Sequence, residues 1–125
     1  MEYYLHNELT AQIIKAFYTV YNELGYGFLE KVYENALVIE LKKMRLNVRR
    51  QYPIKVYYKG EIVGDFFADN IVDNKVIIEL KSVKQLLPVH EAQLINYLKA
   101  TDMEIGLLLN FGDIPEIRRK IFRNY

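Results

Sequence analysis

The stretch VIIELK, residues 76–81, ends a β-branched apolar run on an acid and a base, Glu79 and Lys81, two positions apart. Successive side chains of a strand point to opposite faces, so Glu79 and Lys81 share one face and Leu80 enters the opposite layer. Asp69 closes the preceding segment, directly after FFA. If the turn at residues 73–74 makes these segments antiparallel neighbours, Asp69 comes near Glu79. Counting around a two-residue turn does not set them opposite each other, so a bulge or a longer loop must supply the slack. Two carboxylates held within a few Å repel, and one takes up a proton unless a cation lies between them. Hard oxygen ligands with open positions favour Mg2+ or Mn2+. A lysine beside such an ion can orient or activate a water, or stabilise charge on a phosphate. The competing reading of Glu79 and Lys81 is a cross-strand surface pair, worth roughly a few tenths of a kcal/mol.

Further polar candidates lie on helical stretches. Gln93 and Tyr97 are four apart in HEAQLINYLKA and share a helix face, and His90, three before Gln93, lies on the same side. The alternative for this trio is a helix edge carrying a half-buried tyrosine. Glu30 falls in the first turn of an earlier helix, where it complements the helix dipole. Glu34 stands one turn further on, and either acid could reach inward.

The elements that must position these groups are legible from periodicity. Ile13, Ile14, Phe17, Val20, Tyr21 and Leu24 recur at helical spacing up to GYG, where Gly25 and Gly27 allow a left-handed end. A second helix is expected from about Leu29 to Met44, with Leu29, Val32, Tyr33, Ala36, Leu37, Glu40 and Leu41 as its repeating face. The period then changes. Strands are expected around Ile54 to Tyr58, Glu61 to Ala68 and Val76 to Lys81, separated by KG and DN turns. Residues 90–100 read as a helix and IGLLLNF, 105–111, as a buried strand. Pro115 would open a last helix ending near Phe122. An apolar strand reached through a helix implies a parallel crossover with helices covering an α/β sheet.

Bulk properties narrow the function classes. The 125 residues suit one domain with a core of its own. The chain has no cysteine, which removes disulfide frameworks, thiolate metal sites and cysteine nucleophiles. No apolar run approaches a bilayer span, and MEYYLHNELT does not read as a secretory signal, so a cytoplasmic protein is expected. The net charge of +1 does not argue for a polyanionic partner. Its distribution is less even: residues 41–60 hold Lys42, Lys43, Arg45, Arg49, Arg50, Lys55 and Lys59 and no acid, and RRKIFR adds Arg118, Arg119, Lys120 and Arg123. These cations form either a solvated face or a docking surface for phosphates.

Taken together, the motifs resemble a known family. GFLEKVY, residues 27–33, matches the G-x-x-E-x-x-Y signature of the GxxExxY proteins at Gly27, Glu30 and Tyr33. GDFFADNIVDNKVIIELKSV, HEAQLINYLKA and IGLLLNFG resemble the rest of that family, so the likeness runs from about Thr10 to Phe122. The family is placed in the PD-(D/E)XK nuclease-like superfamily. The resemblance implies a mixed central sheet of about four strands in a helix–strand–strand–strand–helix–strand core. It matches Asp69 to the motif aspartate, Glu79-Leu80-Lys81 to the E-x-K element, and Gln93 to Tyr97 to the Q-x-x-x-Y element of RecB-like nucleases. Ala68 stands where many members carry a proline.

By the same resemblance Asp69, Glu79 and the Leu80 carbonyl would bind Mg2+, or Mn2+ in its place, with Glu30 adding a direct or water-mediated contact. Lys81 would position the attacking water, and Gln93 and Tyr97 would steady the substrate or the site; His90, on the same helix side by spacing, is taken as a further substrate-binding candidate. The implied reaction is metal-assisted hydrolysis of a phosphodiester in DNA. The alternative is a catalytically silent module of the same fold that binds nucleic acid or a protein in a DNA-processing or defence complex. A homodimer or oligomeric scaffold is a third expectation, since tyrosines such as Tyr52, Tyr57 and Tyr58 leave room for an adhesive surface.

Overall fold

A computed structural model describes residues 5–123. In chain order the elements are α1 (Asn7–Leu24), α2 (Glu30–Lys43), β1 (Val48–Tyr58), β2 (Glu61–Val72), β3 (Val76–Lys81), α3 (Pro88–Lys99), β4 (Ile105–Asn110) and β5 (Glu116–Ile121). The strands form one sheet in the order β1-β2-β3-β4-β5. β3 and β4 pair in parallel across the α3 crossover, and the other neighbours are antiparallel. This is the expected α/β sheet, with one strand more than the four anticipated.

Both sheet faces are covered. Ile13, Phe17 and Val20 of α1 and Tyr33, Leu37 and Leu41 of α2 pack on Val72, Val76, Ile78, Leu80, Ile105, Leu107 and Leu109. Leu94, Tyr97 and Leu98 of α3 pack on the opposite face against Ile54, Ala68, Ile71, Ile77 and Leu108. Strands buried on both faces read as continuous apolar runs, which is why β3 and β4 show no alternation. α3 approaches the sheet closely because β4 carries Gly106; a Cβ there would stand 2.6 Å from a Leu94 methyl.

Three expectations about elements are corrected. The last segment is a strand and not a helix. Ile114, Ile117 and Ile121 fit a helical spacing, but Ile117 and Ile121 also fit a period of two, and both pack on the α1 side of the core. β4 is fully buried, so the backbone groups on its free edge need partners, and β5 supplies them from Ile105↔Ile121 to Asn110↔Glu116. The β1–β2 hairpin turns where expected, between Tyr58 and Glu61, but its open end is longer, with β1 starting at Val48 and β2 ending at Val72. Pro53 does not interrupt β1, because β1 is an edge strand and can spare a ladder donor.

The apolar stripe of α2 is also rotated. Tyr33, Glu34, Leu37, Val38 and Leu41 are buried, whereas Leu29 and Val32 are exposed. Burial of Glu34 is tolerated because Arg50 Nε lies 2.9 Å from its carboxylate. Finally, the β2–β3 connection has three residues, 73–75, between the paired Val72 and Val76. Asp73 and Asn74 adopt left-handed backbone (φ 52° and 53°), and Asp73 Oδ1 accepts the Asn47 N–H at 2.8 Å.

Candidate active site

The extra turn residue supplies the slack that the sequence demanded. The register Asn70↔Ile78 continues to bring Asp69 opposite Glu79. Backbone pairing of β2 with β3 stops at that rung, and the two carboxylates take over as acceptors. The Asp69 N–H donates to Glu79 Oε2 at 2.8 Å, and the Leu80 N–H donates to Asp69 Oδ2 at 2.8 Å. The N–H and C=O of one strand residue lie on the same edge. The Leu80 carbonyl is therefore directed into the same opening between the strands.

Burial and mutual repulsion set the electrostatics. Glu79 is 4% exposed. Burial, then the Asp69 charge, pushes its carboxyl up to about 8. Burial raises Asp69 too, opposed chiefly by the Leu80 N–H. Without a cation this pair holds a proton at neutral pH. Lys81 stands on the same strand face and its charge bears on Asp69, Glu79 and Glu30, yet among the described residues it forms no ion pair.

Glu30, the first residue of α2, sits at the mouth of the opening. Its carboxyl is raised mainly by burial, with Lys81 and His90 opposing and Asp69 adding to the shift. Its place is secured by its neighbours in GFLEKVY. Gly27 takes φ 112°, a conformation that favours glycine. The buried Tyr33 hydroxyl donates to the Gly25 carbonyl at 2.7 Å and accepts the Phe28 N–H at 3.2 Å, while its ring stacks on Phe111 at 4.3 Å. The glycine turns the chain, the tyrosine ties the turn down, and the glutamate between them opens the helix toward Asp69.

From the other face α3 brings Tyr97 over the pair. Tyr97 accepts a hydrogen bond from Gln93 Nε2 at 2.9 Å. Its hydroxyl is raised first by burial and then by the Glu79 charge, which places it within the influence of the carboxylates. His90 Nδ1 accepts the Leu87 N–H at 2.9 Å, so one ring nitrogen caps the start of α3. Gln93, Tyr97 and His90 line a groove of about 610 Å³ between α3 and the β1–β2 hairpin, closed on its far side by Val56 and Phe66.

The donor set fits a divalent ion that keeps open positions. Two hard carboxylates at the parting of the strands, one of them destabilised as an anion, and a carbonyl aimed between them are suited to Mg2+ or Mn2+. Among the described residues no group of three or more His, Cys, Asp or Glu side chains is gathered so that it could hold a metal ion. Water and substrate oxygens would have to complete the shell, as is usual for Mg2+.

Two residues near the site were not singled out as site residues by sequence reasoning. Glu34, noted only as a second acid on α2, is buried, and its charge bears on Asp69. Gln51 stands on β1 opposite Asp69 and has no sequence signature. The clustered cations are largely committed within the molecule: Arg50 to Glu34, Lys43 to Glu40, Lys55 to Asp65, Arg118 and Lys120 to Glu91, and Arg123 to Glu104. Among the described residues no helix is long and apolar enough to cross a membrane.

No curated protein matches the sequence. The fold is similar to that in the crystal structure of SSO0001, with a TM-score of 0.56 at 18% identity over 76% of this chain. The chain spans about half the length of SSO0001, 50%. A family model described as the PD-(D/E)XK nuclease superfamily matches residues 7–123. With nearly the whole chain matched and the strands parting at an aspartate and an E-x-K, the chain belongs to the PD-(D/E)XK nuclease superfamily.

Proposed function

We propose that the chain is a divalent-metal-dependent nuclease that hydrolyses phosphodiester bonds in DNA. One observation carries this reading. Asp69 and Glu79 replace the backbone ladder at the point where β2 and β3 part, and Lys81, which forms no ion pair among the described residues, shares the strand face of Glu79. Asp69, Glu79 and the Leu80 carbonyl would hold Mg2+ or Mn2+, with Glu30 at the mouth adding a contact. Such an ion, when bound, polarises the phosphate and acidifies a bound water. Lys81 orients the attacking water and offsets charge gathering on the phosphate. Gln93 and Tyr97, joined to each other, form a fixed wall beside the reacting group, and His90 borders the same groove. The structural part played by each of Gly27, Glu30 and Tyr33 supports placing the chain among the GxxExxY proteins. The lack of cysteines fits a cytoplasmic location.

The test is incubation of the purified protein with single- and double-stranded DNA and Mg2+, beside Lys81→Ala. Cleavage is expected from the parent only. Cleavage that persists in Lys81→Ala would mean that this site is not responsible.

A second reading is favoured by the β1–β2 hairpin, which leaves Tyr57, Tyr58, Ile62, Val63 and Phe67 more than half exposed. Apolar patches of that kind mark association surfaces. On this reading the chain is a silent module that binds nucleic acid, a protein or a second copy of itself. Glu79→Ala would then leave binding intact, and no cleavage would accompany it.

A further inference from the structure

Gln51 is the one β1 residue with a left-handed backbone, φ 48°. Among non-glycine residues that conformation is uncommon, and glutamine gains nothing from it locally. The register Arg50↔Asn70 and Tyr52↔Ala68 sets Gln51 opposite Asp69. The faces of the strand change at this residue. Val48 packs with the α1–α2 side of the core, whereas Tyr52 and Ile54, at the same parity, pack with the α3 side. Adjacent strand residues should point to opposite faces. Yet Arg50 Nε and Gln51 Nε2 both reach Glu34, at 2.9 Å and 3.5 Å. The left-handed turn of the backbone is what aims the Gln51 amide at the carboxylates instead of away from them. The same register sets the amide's residue directly across from Asp69, whose ionised form it favours, the last of the influences on that carboxyl.

The geometry points to Gln51 as a positioning residue: it holds the Asp69 carboxylate, braced by the Glu34–Arg50 pair, in the orientation that receives a divalent ion. This rests on the reading that Asp69 is a metal ligand. Buried Glu34 can accept from both Arg50 and Gln51 and so anchors the amide from the α2 side. An irregular backbone that served only to bend the hairpin would have no use for a long amide side chain. Glycine would meet that need with less strain.

Gln51→Gly separates the two roles, because it keeps the backbone conformation and deletes the amide. The experiment is calorimetric titration of the metal-free protein with Mn2+, together with thermal melting in chelator. The parent should take up Mn2+. Gln51→Gly should melt no lower than the parent, since the strain is relieved, and its Mn2+ dissociation constant should rise about tenfold or more, the usual effect of losing a group that orients a metal ligand. Gln51→Glu keeps the length and the strain but replaces a donor with an acid facing two acids. It should bind Mn2+ no better than Gln51→Gly and melt below the parent. Binding by Gln51→Gly within twofold of the parent would overturn the assignment and leave the metal site standing. So would a marked fall in its melting temperature, which would make Gln51 a structural residue. No Mn2+ uptake by the folded parent would remove the metal site and this inference together.

Discussion

Replacing Glu79 by glutamine should change how stability depends on pH more than it changes stability itself. Glu79 is 4% exposed and its carboxyl is pushed up to about 8, from 4.5 in the unfolded chain, by burial and by the Asp69 charge. Below the unfolded value both states hold the proton and the group contributes nothing. Between 4.5 and about 8 the folded state keeps a proton that the unfolded state has lost, so stability falls as pH rises through that window. Each pH unit of one-proton difference costs about 1.4 kcal/mol, so metal-free protein should lose roughly 2–3 kcal/mol between pH 5.5 and 7.5. Asp69 is raised in the same sense and belongs to the same coupled pair. In Glu79→Gln the amide oxygen can still accept the Asp69 N–H, but nothing titrates at 79. His6, lowered by burial, is common to both proteins and cancels in the difference. The assay is urea unfolding followed by far-ultraviolet circular dichroism in chelator at pH 5.5, 6.5 and 7.5. The parent should fall relative to Glu79→Gln across the series. Millimolar Mn2+ should restore the parent at pH 7.5 and leave the variant unchanged. Parallel profiles for the two proteins would refute the claim that Glu79 is held protonated by its surroundings.

Three further substitutions probe the elements that hold the site. Tyr33→Phe removes the hydroxyl that bonds both Gly25 and Phe28, and thermal melting should show a loss of about 1–3 kcal/mol. Gly106→Ala puts a methyl 2.6 Å from Leu94; about 1–3 kcal/mol should be lost, and amide exchange should quicken in α3. Asn70 is fully buried, and among the described residues neither polar atom of its side chain has a hydrogen-bond partner, so Asn70→Leu should raise the urea midpoint by the equivalent of about 1–2 kcal/mol.

The sequence alone carried the order of most elements, the buried character of β3 and β4, and the shared face of Glu79 and Lys81, because these follow from local periodicity and from the two-residue repeat of a strand. It also named Glu30, Asp69, Gln93 and Tyr97. Tertiary structure decided the rest. EIRRKI fits either a helix or a strand by spacing, and only the bare edge of the buried β4 selects a strand. The facing of Asp69 and Glu79 depends on a three-residue turn with two left-handed residues, one of them tied to Asn47 from a distant segment. Glu34 is buried because Arg50 meets it across sixteen positions of chain. Gln51 owes its aim to a backbone angle that no local pattern announces. A local pattern can state which residues share a face. Which faces meet, and whether a charge between them is paired, depends on contacts between segments that the pattern does not contain.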